Sequence, residues 1–157
     1  MKTIIAVLLL GLVFSQCTQT EITSKEPTSQ GLIIRTGTSF GMCVGYCFND
    51  YQLNGTTITL TQSAPRTQGQ YPTKTCQSTI NTDDWNALVS SINVETFSKL
   101  PETLGCPDCA DGGAEYIELQ RGDQKHRVTF EFNRTIPGFE PLVNALRRQR
   151  DSFNACK

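Results

Sequence analysis

The chain of 157 residues is poor in the residue types and patterns on which hydrolytic catalysis often depends. It has one histidine, His126, and it contains no Gly-x-Ser-x-Gly, His-Glu-x-x-His or phosphate-loop pattern. Hydrolase chemistry is therefore poorly supplied. We therefore predict no catalytic residue and no cofactor, and we favour a binding or structural protein over an enzyme.

A strong charge of either sign is also missing. The chain has 14 basic and 15 acidic side chains, for a formal net charge of −1. Nucleic-acid binding proteins usually carry a concentrated positive charge that displaces counterions from the phosphates. The sequence therefore predicts no nucleic-acid partner. No internal repeat is visible.

The longest apolar run lies at the start of the chain. Lys2 precedes an uncharged apolar stretch over residues 4–14. This stretch is too short to span a bilayer core, which requires about 20 residues, but it fits the apolar region of a secretory signal. The alternative is a buried N-terminal core element. The abrupt change to polar residues after Ser15 favours the signal.

Phe14, Ser15, Gln16 and Cys17 follow this apolar stretch directly. They resemble a relaxed form of the lipobox of bacterial lipoproteins, in which a peptidase cuts just before a lipid-modified cysteine. The resemblance implies that residues 1–16 are a signal peptide and that Cys17 carries a diacylglycerol. The alternative is ordinary signal cleavage nearby, which would leave Cys17 as a plain thiol.

A lipid on Cys17 would anchor the chain to a membrane of the bacterial cell envelope, since two or three acyl chains hold stably where one does not. We expect the outer membrane, with the folded part in the periplasm or at the cell surface. Residues 17–30 are polar, without apolar periodicity, and are predicted to form a flexible tether. Residues 31–157 are predicted to form a single disulfide-stabilised domain.

The remaining cysteines are even in number, and an exported protein meets an oxidising compartment. We predict that they form disulfides, although the sequence cannot choose among the possible pairings. The candidates are Cys43, Cys47, Cys76, Cys106, Cys109 and Cys156.

Two other roles for these cysteines are possible. The pairs Cys43/Cys47 and Cys106/Cys109 have spacings that a four-thiolate zinc site can use. Oxidation competes with metal binding outside the cytoplasm, so disulfides are favoured and no metal is predicted. Cys106 and Cys109 also have the spacing of a thioredoxin-like redox motif, but helix-breaking Gly112 follows them.

Alternating apolar residues predict two β-hairpins, which turn at Asn54-Gly55 and at Gly122-Asp123. Further strands are predicted at residues 32–35 and 75–80, and residues 37–45 are predicted to form a loop. The expected fold class is α+β, with an antiparallel sheet of about five to six strands.

Two main helices are expected to cover one face of this sheet. The first is predicted to begin after Asn81 or Thr82, and the second near Pro141. Apolar residues recur at helical spacing in both, and Arg147, Arg148 and Arg150 are expected to be mostly solvated. His126 shares the parity of Val128 in the last strand and is expected at the edge of the core.

This order of elements is similar to that of small bacterial lipoprotein domains with a Cys-rich loop before a hairpin, here residues 40–47 (FGMCVGYC). The activity of those domains is not known, so the resemblance implies no catalytic residue. The sequence thus favours a lipid-anchored interaction or structural module with an unknown envelope partner. The alternative is a thiol–disulfide redox protein that uses Cys106 and Cys109.

Overall fold

The computed structural model of the protein describes residues 31–156, which form one seven-stranded sheet and three α-helices. The strands are β1 (Leu32–Ser39), β2 (Phe48–Asn54), β3 (Thr57–Ser63), β4 (Lys74–Thr79), β5 (Thr103–Leu104), β6 (Ala114–Arg121) and β7 (Gln124–Glu131). The helices are α1 (Thr82–Ser90), α2 (Val94–Phe97) and α3 (Glu140–Ser152). The strand order across the sheet is β4-β3-β2-β1-β6-β7-β5.

The α+β class is confirmed, but the sheet is larger than the five to six strands predicted. The additional strand is β5, which has two residues and pairs in parallel with β7, whereas the other ladders are antiparallel. Residues 101–105 have no alternating apolar pattern, so the sequence carries no local signal for this strand, which is defined by its pairing with β7. The predicted loop over residues 37–45 is also partly wrong, because β1 continues to Ser39.

The extension of β1 has a local cause at Gly37. A Cβ atom at this position would lie 2.7 Å from the ring of Tyr116 and 2.2 Å from the carbonyl oxygen of Asn49. Only glycine leaves room here for the ring of Tyr116, the β6 residue that pairs with Gly37. A glycine that suggests a loop in the sequence is instead part of the central strand.

The core lies between one face of the sheet, called here the helix face, and the helices. Ile34, Leu53, Ile58, Ile117 and Val128 supply its sheet side and share one alternation parity across five neighbouring strands. The helices contribute the residues predicted from their apolar stripes; these are Trp85, Leu88, Val89, Leu142, Val143 and Leu146. All of them belong to one buried cluster.

The helices begin where the sequence predicted. Asn81 is the N-cap of α1, and its side-chain oxygen accepts a hydrogen bond from the Asp84 amide at 2.7 Å. Pro141 lies in the first turn of α3, where its missing amide costs no hydrogen bond. Among the described residues, no helix is both long enough and apolar enough to cross a membrane.

Candidate functional site

The six cysteines of the described residues lie in three disulfides. The pairs are Cys43–Cys47, Cys76–Cys156 and Cys106–Cys109. This agrees with the prediction that these cysteines form disulfides, and it gives a pairing that the sequence left open. Cys17, the predicted lipidation site, lies outside the described residues.

The two short disulfides lie at the same end of the sheet. Ser39, at the end of β1, pairs with Phe48 on one side and with Ala114 on the other. The loops that contain Cys43–Cys47 and Cys106–Cys109 directly adjoin these positions. We call residues 40–47 and 105–113 together the tip.

The opposite end of the sheet is called here the entry end. Leu32 at the start of β1 pairs with Arg121, and Ile33 pairs with Asn54, so both hairpin turns lie there. The described range therefore begins at the entry end, and β1 runs from there toward the tip.

Asp108 links the two loops of the tip. Its Oδ1 accepts hydrogen bonds from the backbone N–H of Gly41 at 3.2 Å and of Gly113 at 3.1 Å. The Phe40 ring packs edge-on against Phe132, with centroids 4.9 Å apart. A Cβ at Gly113 would come within 2.3 Å of the Phe40 ring, so this glycine makes the packing possible. Together these contacts make the two loops one structural unit.

Three large apolar side chains are highly exposed within residues 31–156, and all three lie in or beside the Cys43–Cys47 loop. Val44 is 81 % exposed, Met42 is 72 % exposed and Phe48 is 40 % exposed. Single exposed apolar residues are common on protein surfaces, but a group of them in and beside one disulfide-closed loop is typical of an interaction site.

Basic and aromatic side chains flank this apolar group. Arg66 approaches the Met42 sulfur at 3.8 Å from its Nη1, and Lys74 lies over the Tyr46 ring at 5.0 Å from the centroid. The Tyr46 hydroxyl donates to the carbonyl oxygen of Pro72 at 3.0 Å, and its ring packs edge-on against Tyr71. The loop between β3 and β4 therefore supports the tip from one side.

The surroundings of the tip cysteines differ from those of a thioredoxin-like motif and of a four-thiolate zinc site. Cys106 precedes a loop and a single 3-10 turn (Cys109–Asp111), not the N-terminus of an α-helix that activates a thioredoxin-like thiol. The sulfurs of Cys43 and Cys47 are bonded to each other, and so are those of Cys106 and Cys109. In this state none of the four is a thiolate ligand for zinc.

His126 lies where its parity predicted, at the edge of the core. Its Nε2 is 2.9 Å from the carbonyl oxygen of Leu100, and its ring packs edge-on against Phe97. These contacts give the only histidine of the chain a packing role between β7 and α2.

The prediction that the arginines of α3 are mostly solvated is wrong for two of them. Arg147 and Arg150 were expected to be solvated, but their side chains are only 22 % and 10 % exposed and both bind the carboxylate of Glu115. Glu115 is 1 % exposed and also accepts a hydrogen bond from the Asn133 N–H. Glu115 has the same parity in β6 as Ile117 and therefore points to the helix face.

A second polar group lies on the opposite face of the sheet. The Tyr116 hydroxyl donates to Asp50, and the Arg127 guanidinium lies 4.0 Å from the Tyr116 ring centroid. Burial and the hydrogen bond to Asp50 raise the pKa of Tyr116 well above its ordinary value. The phenol therefore stays protonated at neutral pH, and we see in it a structural contact and not a general base.

No family model matches this chain, and no curated protein matches it.

Proposed function

We propose that the protein is a non-catalytic interaction module of the bacterial cell envelope, held on a membrane by a lipid on Cys17, and that the tip contacts a partner protein. The observation that carries this proposal is that the exposed apolar residues Met42, Val44 and Phe48 lie in or directly beside the loop closed by the Cys43–Cys47 disulfide. A closed loop loses little conformational entropy when it binds, which favours affinity.

The position of the tip relative to the tether supports a protein partner. A tether over residues 17–30 joins the sheet at the entry end, and the eight residues of β1 span about 26 Å. A flexible tether of this length has a mean extension of roughly 20 Å. On average the entry end would therefore lie nearer the anchor than the tip does, which favours a protein over the anchoring membrane as the partner of the tip.

The charge around the tip indicates what the partner presents. Arg66 is exposed and Lys74 is half-buried beside the apolar group. A partner with an apolar patch bordered by carboxylates would bury Met42 and Val44 and pair with these cations. Such pairs mainly guide association and register, and the apolar contact supplies most of the affinity.

Replacing Cys17 by serine is expected to move the protein from the membrane fraction to the soluble exported fraction, because the acyl chains are the proposed anchor. Fractionation of cells that express the full chain measures this, with Thr20→Ser in the predicted tether as the control. An intact mass that shows an unmodified Cys17 on the mature wild type would contradict the anchor.

A photo-crosslinking amino acid placed at Val44 is expected to form one discrete adduct with a protein in the native host. The same amino acid at Asp123, in the turn of the entry end, is expected to form none of that size. Met42→Asp should abolish the Val44 adduct, since it puts a charge into the apolar patch. Thr59→Asp, which pairs with Gln52 away from the tip, should leave the adduct unchanged.

Two outcomes would contradict docking through the tip. One is an adduct from Val44 whose added mass is that of a lipid, which would place the tip on a bilayer. The other is an equal adduct yield from Val44 and Asp123, which would mean contact without a preferred surface. Mass spectrometry of the adduct distinguishes these outcomes from the expected one.

Thiol–disulfide exchange by Cys106 and Cys109 is a second candidate, favoured by one observation: both residues are exposed at the tip. In this reaction a dithiol of a partner protein would be oxidised to a disulfide while Cys106 and Cys109 are reduced to thiols. Thiol counting on protein from the envelope separates the candidates. A stable, fully oxidised protein supports the interaction module, and a readily reduced and reoxidised Cys106/Cys109 pair supports the redox protein.

A further inference from the structure

The helix face of the sheet is not fully covered by the helices. Beside the C-terminal half of α3 lies a cleft of about 360 Å³ that is open to solvent. Sheet residues Thr38, Asn49 and Tyr51 line it on one side, and Arg147 and Arg150 line it on the other. Its size lies at the lower end of the range of small-molecule sites, about 300–1,000 Å³.

The sheet side of the cleft is polar and internally hydrogen-bonded. Asn49 lies between two neighbours: its Nδ2 is 3.4 Å from Thr38 Oγ1, and its Oδ1 accepts from Gln62 Nε2 at 2.8 Å. Phe40, Phe132 and Tyr51 provide aromatic surface in the same cleft. Small-molecule sites are usually more apolar than this cleft, so its polar base and charged wall favour a ligand that is itself polar and has a flat apolar part.

The charge beside the cleft is unbalanced. Arg147 and Arg150 both bind the single carboxylate of Glu115, so this mostly buried group has one positive charge more than it has negative charges. Asp151 lies at the solvent side of the cleft and is exposed, so water screens its charge. The excess positive charge favours an anion, and Asp151 disfavours a multiply charged one.

The two arginines also keep donors available. Arg150 uses Nη1 for Thr36 at 2.7 Å and Nη2 for Glu115, and Arg147 uses Nε and Nη2 for Glu115. Arg150 Nε and Arg147 Nη1 donate to no other residue of the described range 31–156. Two cationic donors without an acceptor among residues 31–156 therefore belong to arginines that line one cleft.

We propose that this cleft binds a small organic monocarboxylate, whose carboxylate accepts hydrogen bonds from Arg147 Nη1 and Arg150 Nε and whose flat apolar part packs on Tyr51 and Phe40. A guanidinium presents planar donors that match a carboxylate well. The cleft shares Phe40 with the tip, but its proposed ligand does not require that the tip docks to a partner.

NMR titration of the soluble full chain carrying Cys17→Ser tests the proposal with benzoate, neutral benzamide and inorganic phosphate as probes. Benzoate is expected to give saturable shifts at the side-chain N–H groups of Arg147, Arg150 and Asn49, with a Kd of about 1 mM or below. Benzamide should bind at least about tenfold more weakly, because the charge-assisted hydrogen bonds are lost.

Two variants distinguish benzoate binding in the cleft from a general effect of positive charge on the protein. Arg147→Lys keeps a cation beside Glu115 but removes Nη1, so it should weaken benzoate binding about tenfold and leave benzamide binding unchanged. Arg127→Lys, on the opposite face of the sheet, is the matched control and should change neither.

Three results would overturn the proposal. Benzoate and benzamide binding equally would show an apolar cleft without anion recognition. Phosphate binding more tightly than benzoate would show an unspecific anion site. No saturable benzoate shift up to roughly 20 mM, twenty times the expected Kd, would show that no such site exists.

Discussion

Replacing Glu115 by glutamine is expected to lower the free energy of unfolding by about 3–5 kcal/mol, the range for removing one partner of a buried ion pair. The wild-type carboxylate is 1 % exposed and balances two arginines that hold α3 on the sheet. Glutamine keeps the shape but leaves two guanidinium groups without a counter-charge. Chemical denaturation followed by circular dichroism measures the loss.

Glu118→Gln is the matched control for this change. Glu118 is also buried and also paired with two arginines, but the side chains of Arg35 and Arg127 are 39 % and 43 % exposed. Water can solvate these arginines once their partner is gone, so the cost should be about 1 kcal/mol. Equal losses in the two variants would mean that burial of the arginines does not determine the effect.

The acid limb of the stability curve provides a second readout for Glu115. Burial raises the pKa of its carboxyl. Hydrogen bonds from Arg147, Arg150 and the Asn133 N–H lower the pKa by more than burial raises it, so the pKa of Glu115 lies below the ordinary value of 4.5. The contribution of Glu115 is therefore complete above pH 4.5 and is lost as the pH falls through the lower, folded-state pKa. Glu115→Gln should remove this part of the acid dependence.

Removing the Cys76–Cys156 disulfide by serine substitution at both positions is expected to cost about 4–5 kcal/mol. This bridge closes a sequence separation of 80 residues, and loop-closure entropy grows with loop length. It also fixes the segment after α3, in which the Phe153 ring packs edge-on against Tyr51. Without the bridge this segment and β4 lose their covalent link.

The double substitution of Cys43 and Cys47 by serine is the control for the long bridge. Their sequence separation is 4, for which the same relation gives about 2 kcal/mol. Thermal unfolding of both variants in one buffer compares them directly. A larger loss at the short bridge than at the long one would contradict the entropic account.

The hairpins and the helix stripes were predictable because each has its own local period. β5 was not, since two residues carry no period, and the full length of β1 was not, since Gly37 is used for the approach of Tyr116 and not for a turn. The predictions for Cys17 and residues 1–30 lie outside the described residues and remain predictions.

The buried charge cluster does have one signal in the sequence. Glu115 has the parity of Ile117 and Leu119, so a carboxylate occupies a core position of β6 and requires a buried cation. Arg147 and Arg150 are the basic residues that the fold supplies. Which arginines pair with the buried carboxylate depends on how α3 crosses the sheet, and no local sequence pattern encodes that crossing. The grouping of Met42, Val44 and Phe48 at one end of the sheet likewise required the strand register.

The strand order has a consequence for how the sheet is completed. β1 is central, with β2 on one side and β6 on the other, but the nearest paired residues of β1 and β6, Ser39 and Ala114, are about 75 residues apart along the chain. Closing this ladder costs roughly 3 kcal/mol more chain entropy than closing a two-residue hairpin. When the chain becomes available from its N-terminus onward, β1 to β4 can form a meander first. One edge of β1 then stays unpaired until β6 is available. An unpaired central edge is the surface at which sheets of different molecules join, so the topology places the greatest hazard of misassembly before the last third of the chain is available.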